Sequence, residues 1–193
     1  MTILDLDRDI TVAINSFRAE WADGFFYYVS QTWVWTPLAV LLLWMGWRRF
    51  GWRHLLVVVA CVALCILLSD QLCNLVKHTV CRLRPSHEPS LEGVIHTVDG
   101  YVGGMYGFCS AHAANTTTVA LFTSLVVRRR WYWITAAVWV VVNCWSRIYL
   151  GVHYFGDIVC GILLGAAIAI AIAITIAIVH NSLTDRYKQL LEK

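Results

Sequence analysis

Charge is scarce in this chain. Of its 193 residues only 14% are charged and 59% are hydrophobic, and the mean hydropathy is +0.64. A water-soluble domain of this length could not bury so much apolar surface. The seven cysteines form no C-x-x-C pair and no Cys/His cluster at ligand spacing, which argues against a structural zinc site. No Walker-type loop and no G-x-G-x-x-G stretch is present, so neither a nucleotide nor a nucleic acid is an expected partner, and no cofactor is called for. Residues 1–10 are polar and acidic. They lack the basic start and apolar core of a cleavable signal, and none is expected.

Long apolar runs are plentiful instead, several of them long enough to cross a bilayer. The expected fold is all-α: one polytopic membrane domain over residues 1–193, with five transmembrane helices and an N-terminal amphipathic surface helix. Ile3, Leu4, Leu6, Ile10, Val12, Ile14 and Phe17 stand among charges in the first 21 residues. That segment is too polar to span and reads as a helix lying apolar side down on the membrane. Spans are expected at about 22–47, 54–78, 109–127, 131–150 and 154–179, with a polar tail at 180–193. Pro37 either kinks the first span or marks a break after an earlier half-helix. Ile and Ala alternate from Ala166 to Ile178 as in a strand, but the length of the run and the lack of a turn signal favour a lipid-facing helix. Trp33, Trp35, Trp44, Trp47, Trp52, Trp131 and Trp133 fall near span ends, as aromatic belts do.

Basic residues set the orientation. Arg48, Arg49 and Arg53 follow the first span, Arg128 to Arg130 the third, and Arg186, Lys188 and Lys193 lie in the tail. The positive-inside rule makes these regions cytoplasmic. The N-terminus, the loop at about 79–108 and the turn at 151–153 then face outward.

Three polar motifs interrupt the apolar pattern. Lys77, Arg84 and Pro85 form K-x6-R-P where the second span leaves the membrane. Lys77 is a point cation and Arg84 a planar fork, a pair suited to a phosphate dianion. Ser110 is an N-cap candidate at the head of the third span. The helix start behind it, with the N–H of Ala111, offers free donors and a positive dipole end to an anion. His112 lies within the first turn, in reach of the same anion as a general acid. In S-R-x5-H-x3-D, Arg147 supplies a second fork. Asp157 stands one helical turn from His153, able to hold one imidazole nitrogen and leave the other bare as a nucleophile. Taken singly, each motif also reads as interfacial cations and helix-end polar pairs. The topology, however, brings all three to one membrane face.

The three motifs, at 77–85, 109–112 and 146–157, resemble those of the type 2 phosphatidic acid phosphatase superfamily, K-x6-R-P, P-S-G-H and S-R-x5-H-x3-D. The likeness covers the central two-fifths of the chain. It implies metal-independent hydrolysis of a lipid phosphate through a phosphohistidine. By position it makes His153 the nucleophile, Asp157 its orienting partner and His112 the acid, with Lys77, Arg84, Ser110, Ala111 and Arg147 binding phosphate. Cys109 and Ala111 depart from the Pro and Gly of the second motif. Ala111 keeps its N–H but leaves less room for a close backbone approach. The family usually has six spans, and the small bacterial members fit a chain of this size. That places the protein in a bacterial plasma membrane, its site facing the periplasm or exterior.

The expected substrates are a lipid A phosphate, undecaprenyl diphosphate or phosphatidylglycerol phosphate. The competing function is a non-catalytic lipid-phosphate binding or transport protein. Three further expectations concern single residues. Asp70, with Asn74, pairs with Lys77 or holds the bundle together. His87, Glu88, Glu92 and His96 gate the site or are merely solvated. Cys81 and Cys109, the two cysteines expected near the outer face, are candidates for a disulfide.

Overall fold

The structure, a computed structural model, describes residues 1–191, and side chains as far as Asn181. Most of the polar tail expected at 180–193 therefore has no described side chains, and residues 192–193 lie outside the described residues. The helices are α1 (Ile3–Ser16), α2 (Glu20–Val29), α3 (Thr36–Val80), α4 (Ala111–Val127), α5 (Arg130–Tyr149) and α6 (Phe155–Leu191), with short 3-10 turns between α2 and α3 and in the loop after α3. The described residues contain no strand beyond a single bridge between Leu83 and Tyr106.

α4 is the hub, packed against α3, α5 and α6. Its contact with α6 is the tightest, and the sequence explains why. Gly161 and Gly165 form a G-x-x-x-G on α6, and small residues at that spacing let two membrane helices touch backbone to backbone. A Cβ on Gly161 would stand 2.5 Å from the Ser110 carbonyl, and one on Gly165 would collide with the Ala114 carbonyl. Thr118 Oγ1 closes the contact by donating to the Gly165 carbonyl at 2.6 Å. Below it, Cys65, Phe122, Ile168, Ala169 and Ile172 form an apolar cluster joining α3, α4 and α6. Many large apolar side chains point outward, among them Leu56, Leu75, Ile134, Val141, Leu163 and Ile178, as lipid-facing surfaces require. The segments Thr32–Val80 and Phe155–Asn181 are long and apolar enough to cross a membrane. The Ile/Ala run lies within α6 and is helical.

The region expected as one span at 22–47 is broken. α2 ends at Val29, whose carbonyl accepts from Trp35 Nε1 at 2.9 Å. α3 begins at Thr36 with Pro37 in its first turn, where proline's missing N–H has no intrahelical partner to lose. Pro37 thus marks a break after a half-helix. α3 itself is interrupted at Gly51, with φ 78° and ψ 163°, a conformation glycine adopts at little cost. Its two arms turn back there, so that a Cβ on Gly46 would lie 3.2 Å from Leu55 Cδ1.

α1 also departs from expectation. Thr2 and Asp5 close a capping box at its start. Ile3 and Leu4 are exposed, as on a membrane-facing side, but the opposite polar stripe is buried in the protein rather than solvated. Asp7, Thr11 and Asn15, one turn apart each, all point inward. Thr11 Oγ1 accepts from the Phe155 N–H at 2.9 Å and Asp7 from the Gly156 N–H at 2.6 Å. These are orphan donors at the head of α6. Asn15 donates to the carbonyls of Ile148 at 3.1 Å and Tyr149 at 2.8 Å. α1 therefore caps the end of the bundle where α5 passes into α6.

Candidate active site

The loop after α3 carries the first motif. Cys81 adopts a left-handed conformation and ends the helix. Beyond it the chain pairs with the glycine-rich stretch before α4: the Arg84 N–H donates to the Met105 carbonyl at 3.0 Å, and the Gly107 N–H to the Arg82 carbonyl at 2.9 Å. This short ribbon fixes Arg84, which is buried and donates through Nε to the Tyr106 carbonyl at 3.2 Å. Two backbone bonds tie the ribbon and α4 to the third motif. The Ser86 N–H reaches the Gly151 carbonyl at 3.0 Å, and the Ser110 N–H reaches the Asp157 carbonyl at 3.0 Å.

Ser110 is the N-cap of α4, its Oγ accepting from the Ala113 N–H at 3.4 Å. The N–H groups of Ala111 and His112 fall at the helix start, where no intrahelical acceptor exists. His112 Nε2 lies 2.9 Å from the Ser30 carbonyl. A carbonyl only accepts, so this nitrogen carries a hydrogen. Arg147, near the end of α5, is 3% exposed. Its Nη2 donates to the Tyr101 hydroxyl at 3.0 Å, while Nε and Nη1 are buried with no partner among the described residues.

His153 sits in the turn between α5 and α6, and Asp157 in the first turn of α6. Both are buried, at 2% and 0% exposed. His153 Nδ1 is 3.4 Å from Asp157 Oδ2, an oxygen that also accepts from the Tyr154 N–H at 3.0 Å. The carboxylate accepts, so Nδ1 carries the hydrogen and Nε2 is left with its lone pair. Burial pushes the His153 imidazole well below the usual histidine range, and the charges of Arg84, Arg147, Lys77 and His112 push it further. It is held neutral, and its neighbours come from all three motifs. Lys77, at the end of α3, is also under the influence of Arg84 and Asp70. Of the residues expected at the site, Arg84, Arg147, Lys77 and His112 act electrostatically on one buried histidine, Asp157 is its hydrogen-bond partner, and Ser110, with Ala111 following it at the head of α4, is joined through its N–H to the Asp157 carbonyl.

The remaining expectations are settled one by one, and of the two roles open to Asp70 the bundle-holding one is found. Asp70 does not bridge to Lys77; its Oδ1 accepts from Asn115 Nδ2 at 2.8 Å, linking α3 to α4. His96 is turned away from the site toward Asp23, at 3.1 Å. His87 donates to the Gly103 carbonyl at 3.3 Å and, with Glu88 and Glu92, lines a hollow of about 360 Å³ in the outer loop. Cys81 and Cys109 are not partners. Cys81 is exposed and donates to the His78 carbonyl, whereas Cys109 is buried with its sulfur 3.4 Å from that of Cys73. The error lay in depth. The last turns of α3 descend beside the loop, which brings Cys73 rather than Cys81 against the start of α4.

Several residues escaped the sequence reading. Tyr101 steadies Arg147, and Ser30 holds His112. A Cβ on Gly107 would stand 2.8 Å from Asp157 Oδ2 and 3.6 Å from His153 Nδ1, so any side chain there displaces the Asp157 carboxylate. Arg82 and Asp7 lie behind Asp157. Only Arg82 carried a signal, as an unexplained second arginine inside K-x6-R-P.

The fold and the site together define an integral-membrane helical bundle with a buried cationic cradle around a neutral histidine. The sequence matches the PAP2 superfamily over residues 55–180, and the chain belongs to that superfamily and is a membrane lipid phosphatase. A lipid A 4'-phosphatase of Porphyromonas gingivalis is 37% identical over 169 residues, covering 86% of this chain and 71% of that protein. An undecaprenyl-diphosphatase of Sulfolobus acidocaldarius is 28% identical over 162 residues, covering 81% of this chain and 71% of that one. Among solved structures, LpxE of Aquifex aeolicus has the same fold, with a TM-score of 0.70 at 23% identity over 90% of this chain and 99% of that one.

Proposed function

We propose that the protein removes a phosphate from a lipid of the lipid A type, through a phosphohistidine on His153. The observation that carries this reading is Arg147, a buried cation with two unpartnered N–H groups beside a neutral histidine. A buried charge without a counterion is costly, so the site is suited to an anion. Arg147, Arg84 and Lys77 hold the phosphate oxygens, with the Ser110 cap and the N–H groups of Ala111 and His112 behind them.

The chemistry is a double displacement. The Nε2 lone pair of His153 attacks phosphorus, and the bond from phosphorus to the lipid oxygen breaks. His112 acts as the imidazolium in the complex with the phosphate dianion: it keeps Nε2–H on the Ser30 carbonyl and gives the proton on Nδ1 to the departing oxygen. Asp157 accepts from Nδ1–H and stabilises the cation that forms on the ring. Water then attacks phosphorus as His112 takes back a proton, the P–N bond breaks, and phosphate leaves with His153 neutral again. No group of three His, Cys, Asp or Glu side chains among the described residues is placed to hold a metal ion, and the scheme uses none.

The lipid A type is favoured over undecaprenyl diphosphate or phosphatidylglycerol phosphate by the higher identity to the Porphyromonas enzyme. The proposed topology is a single domain over residues 1–193 with five spans, the two halves of the first separated at residues 30–35. It lies in a bacterial plasma membrane, with Arg48, Arg49, Arg53 and Arg128 to Arg130 cytoplasmic and the site on the outer face.

The test is phosphate release from a lipid A 4'-phosphate, undecaprenyl diphosphate and phosphatidylglycerol phosphate by the full chain in detergent, beside His153→Ala and His112→Ala. His153→Ala should abolish turnover on every substrate. His112→Ala should cost on the order of 10²–10⁴-fold on a monoester, which expels an alkoxide. It should cost far less on a diphosphate, whose leaving group is a weak base. Residual wild-type turnover in His153→Ala would refute the nucleophile, and equal losses from His112→Ala on both classes would refute the acid.

A further inference from the structure

We propose that Arg82 and Asp7 are positioning residues for catalysis: Arg82 holds the outer oxygen of Asp157, and Asp7 holds Arg82, so that Asp157 presents its other oxygen to His153. The proposal rests on reading Asp157 as the partner of His153.

Asp157 has two oxygens with different duties. Oδ2 faces His153 Nδ1 and takes the Tyr154 N–H. Oδ1 takes Arg82 Nη1 at 3.0 Å. Held at both oxygens, the carboxylate cannot turn about its Cβ–Cγ bond, and its plane is set relative to the imidazole. The other end of the guanidinium, Nη2, donates to Asp7 Oδ2 at 2.7 Å. Asp7 is itself fixed, because its Oδ1 accepts from the Gly156 N–H at 2.6 Å, one residue before Asp157. The guanidinium also lies over the Tyr154 ring, 3.8 Å from its centroid. The network closes on itself through α1, the loop after α3 and the head of α6.

Arg82 differs from the two arginines assigned to phosphate. Each of its Nη groups is committed to a carboxylate, whereas Arg147 keeps two N–H groups unpartnered. Its charge also compensates that of Asp157, which is fully buried. A carboxylate in that position without a cation would be strongly disfavoured. Asp7 gives the N-terminal helix a part in the reaction, although its polar stripe looks from sequence like a solvated face.

The experiment is a mutant cycle on the full chain in detergent, with kcat and KM measured on a lipid phosphomonoester. The variants are Arg82→Gln, Arg82→Lys, Asp7→Asn, Asp157→Asn and Arg82→Gln/Asp157→Asn, each checked for monodispersity and thermal unfolding. A misplacement of about 1 Å at a catalytic group costs on the order of 10²-fold. Arg82→Gln should therefore lower kcat about 10- to 100-fold with KM nearly unchanged, because Arg82 touches no substrate. Arg82→Lys, which keeps the charge on Asp157 but cannot fork, should recover part of the loss. Asp7→Asn keeps an oxygen for the Gly156 N–H and should lose less than Arg82→Gln. In the Asp157→Asn background, Arg82→Gln should cost almost nothing more.

The same fold-loss from Arg82→Gln in both backgrounds overturns the proposal, as does a raised KM with normal kcat or an unaffected kcat. Wild-type turnover in Asp157→Asn would instead bring down the reading of Asp157 itself, and the proposal with it. If Arg82→Gln does not fold, the cycle runs with Arg82→Lys, and equal losses in the two backgrounds are again the overturning result.

Discussion

Replacing Arg147 by methionine should remove most activity and yet leave the protein as stable as before or more so. Arg147 is 3% exposed, and two of its N–H groups are buried without a partner. Its contacts are the hydrogen bond to the Tyr101 hydroxyl at 3.0 Å and the Tyr101 ring, 5.6 Å from the guanidinium carbon. Where it stabilises, replacing buried charges by apolar side chains of similar volume does so by about 1–4 kcal/mol. The lost hydrogen bond to Tyr101 offsets about 1 kcal/mol of this. The balance is about 0–3 kcal/mol in favour of methionine, an upward shift in apparent Tm of roughly 0–10 °C for a chain of this size. Activity moves the other way. Two charge-assisted bonds to a phosphate, each about 1.5–3 kcal/mol, are lost, a fall in kcat/KM on the order of 10²–10⁴-fold. The assay pairs phosphate release with thermal unfolding in detergent, with and without inorganic phosphate. Phosphate should raise the Tm of the wild type and leave that of Arg147→Met nearly unmoved. A variant that melts several degrees lower would refute the reasoning, as would one that keeps the full phosphate-induced shift. Arg147 would then be a structural residue rather than an anion ligand.

The neutral state of His153 can be read directly. Its imidazole is pushed below the usual range by burial and by the surrounding cations. It should remain unprotonated on lowering the pH to about 6.5, where an ordinary histidine is half charged, and take up a proton only further down. Histidine-selective NMR of the protein in detergent tests this, and half-protonation of His153 at that pH would contradict it. Gly107→Ala places a Cβ 2.8 Å from Asp157 Oδ2, and the carboxylate must shift from His153. Turnover should drop about 10- to 100-fold, and a variant with wild-type kcat would show that the dyad tolerates the displacement. Turnover should persist in excess chelator, since the described residues offer no metal-binding cluster. Loss of activity that magnesium restores would exclude the scheme.

Much of this protein could be read along the chain. Apolar runs dictate spans because a bilayer core satisfies no backbone polar group, so a long run without charge has to be helical there. That logic resolved the Ile/Ala run of α6, although its period resembled a strand. The three motifs that carry the candidate site were legible as well, because each is local. A helix start, a four-residue spacing or an x6 spacing fixes relative positions within a turn or two, and topology brings the motifs to one face.

What only the tertiary structure decided are contacts between segments distant in sequence. Asp7 is 75 residues from Arg82, and Arg82 is 75 from Asp157. No periodicity relates them, so α1 read as a surface helix although its polar stripe is buried. The partner of Cys109 depended on how deep α3 runs beside the loop, a matter of packing rather than spacing. The choice at Pro37 between a kink and a break waited on α2, whose end at Val29 is followed by Ser30, the residue that meets His112. Local periodicity sets what a segment is. Which segments meet is set by close approach across the bundle, here the backbone contact of Gly161 and Gly165 with α4, and a sequence records such contacts only as an unexplained small or charged residue.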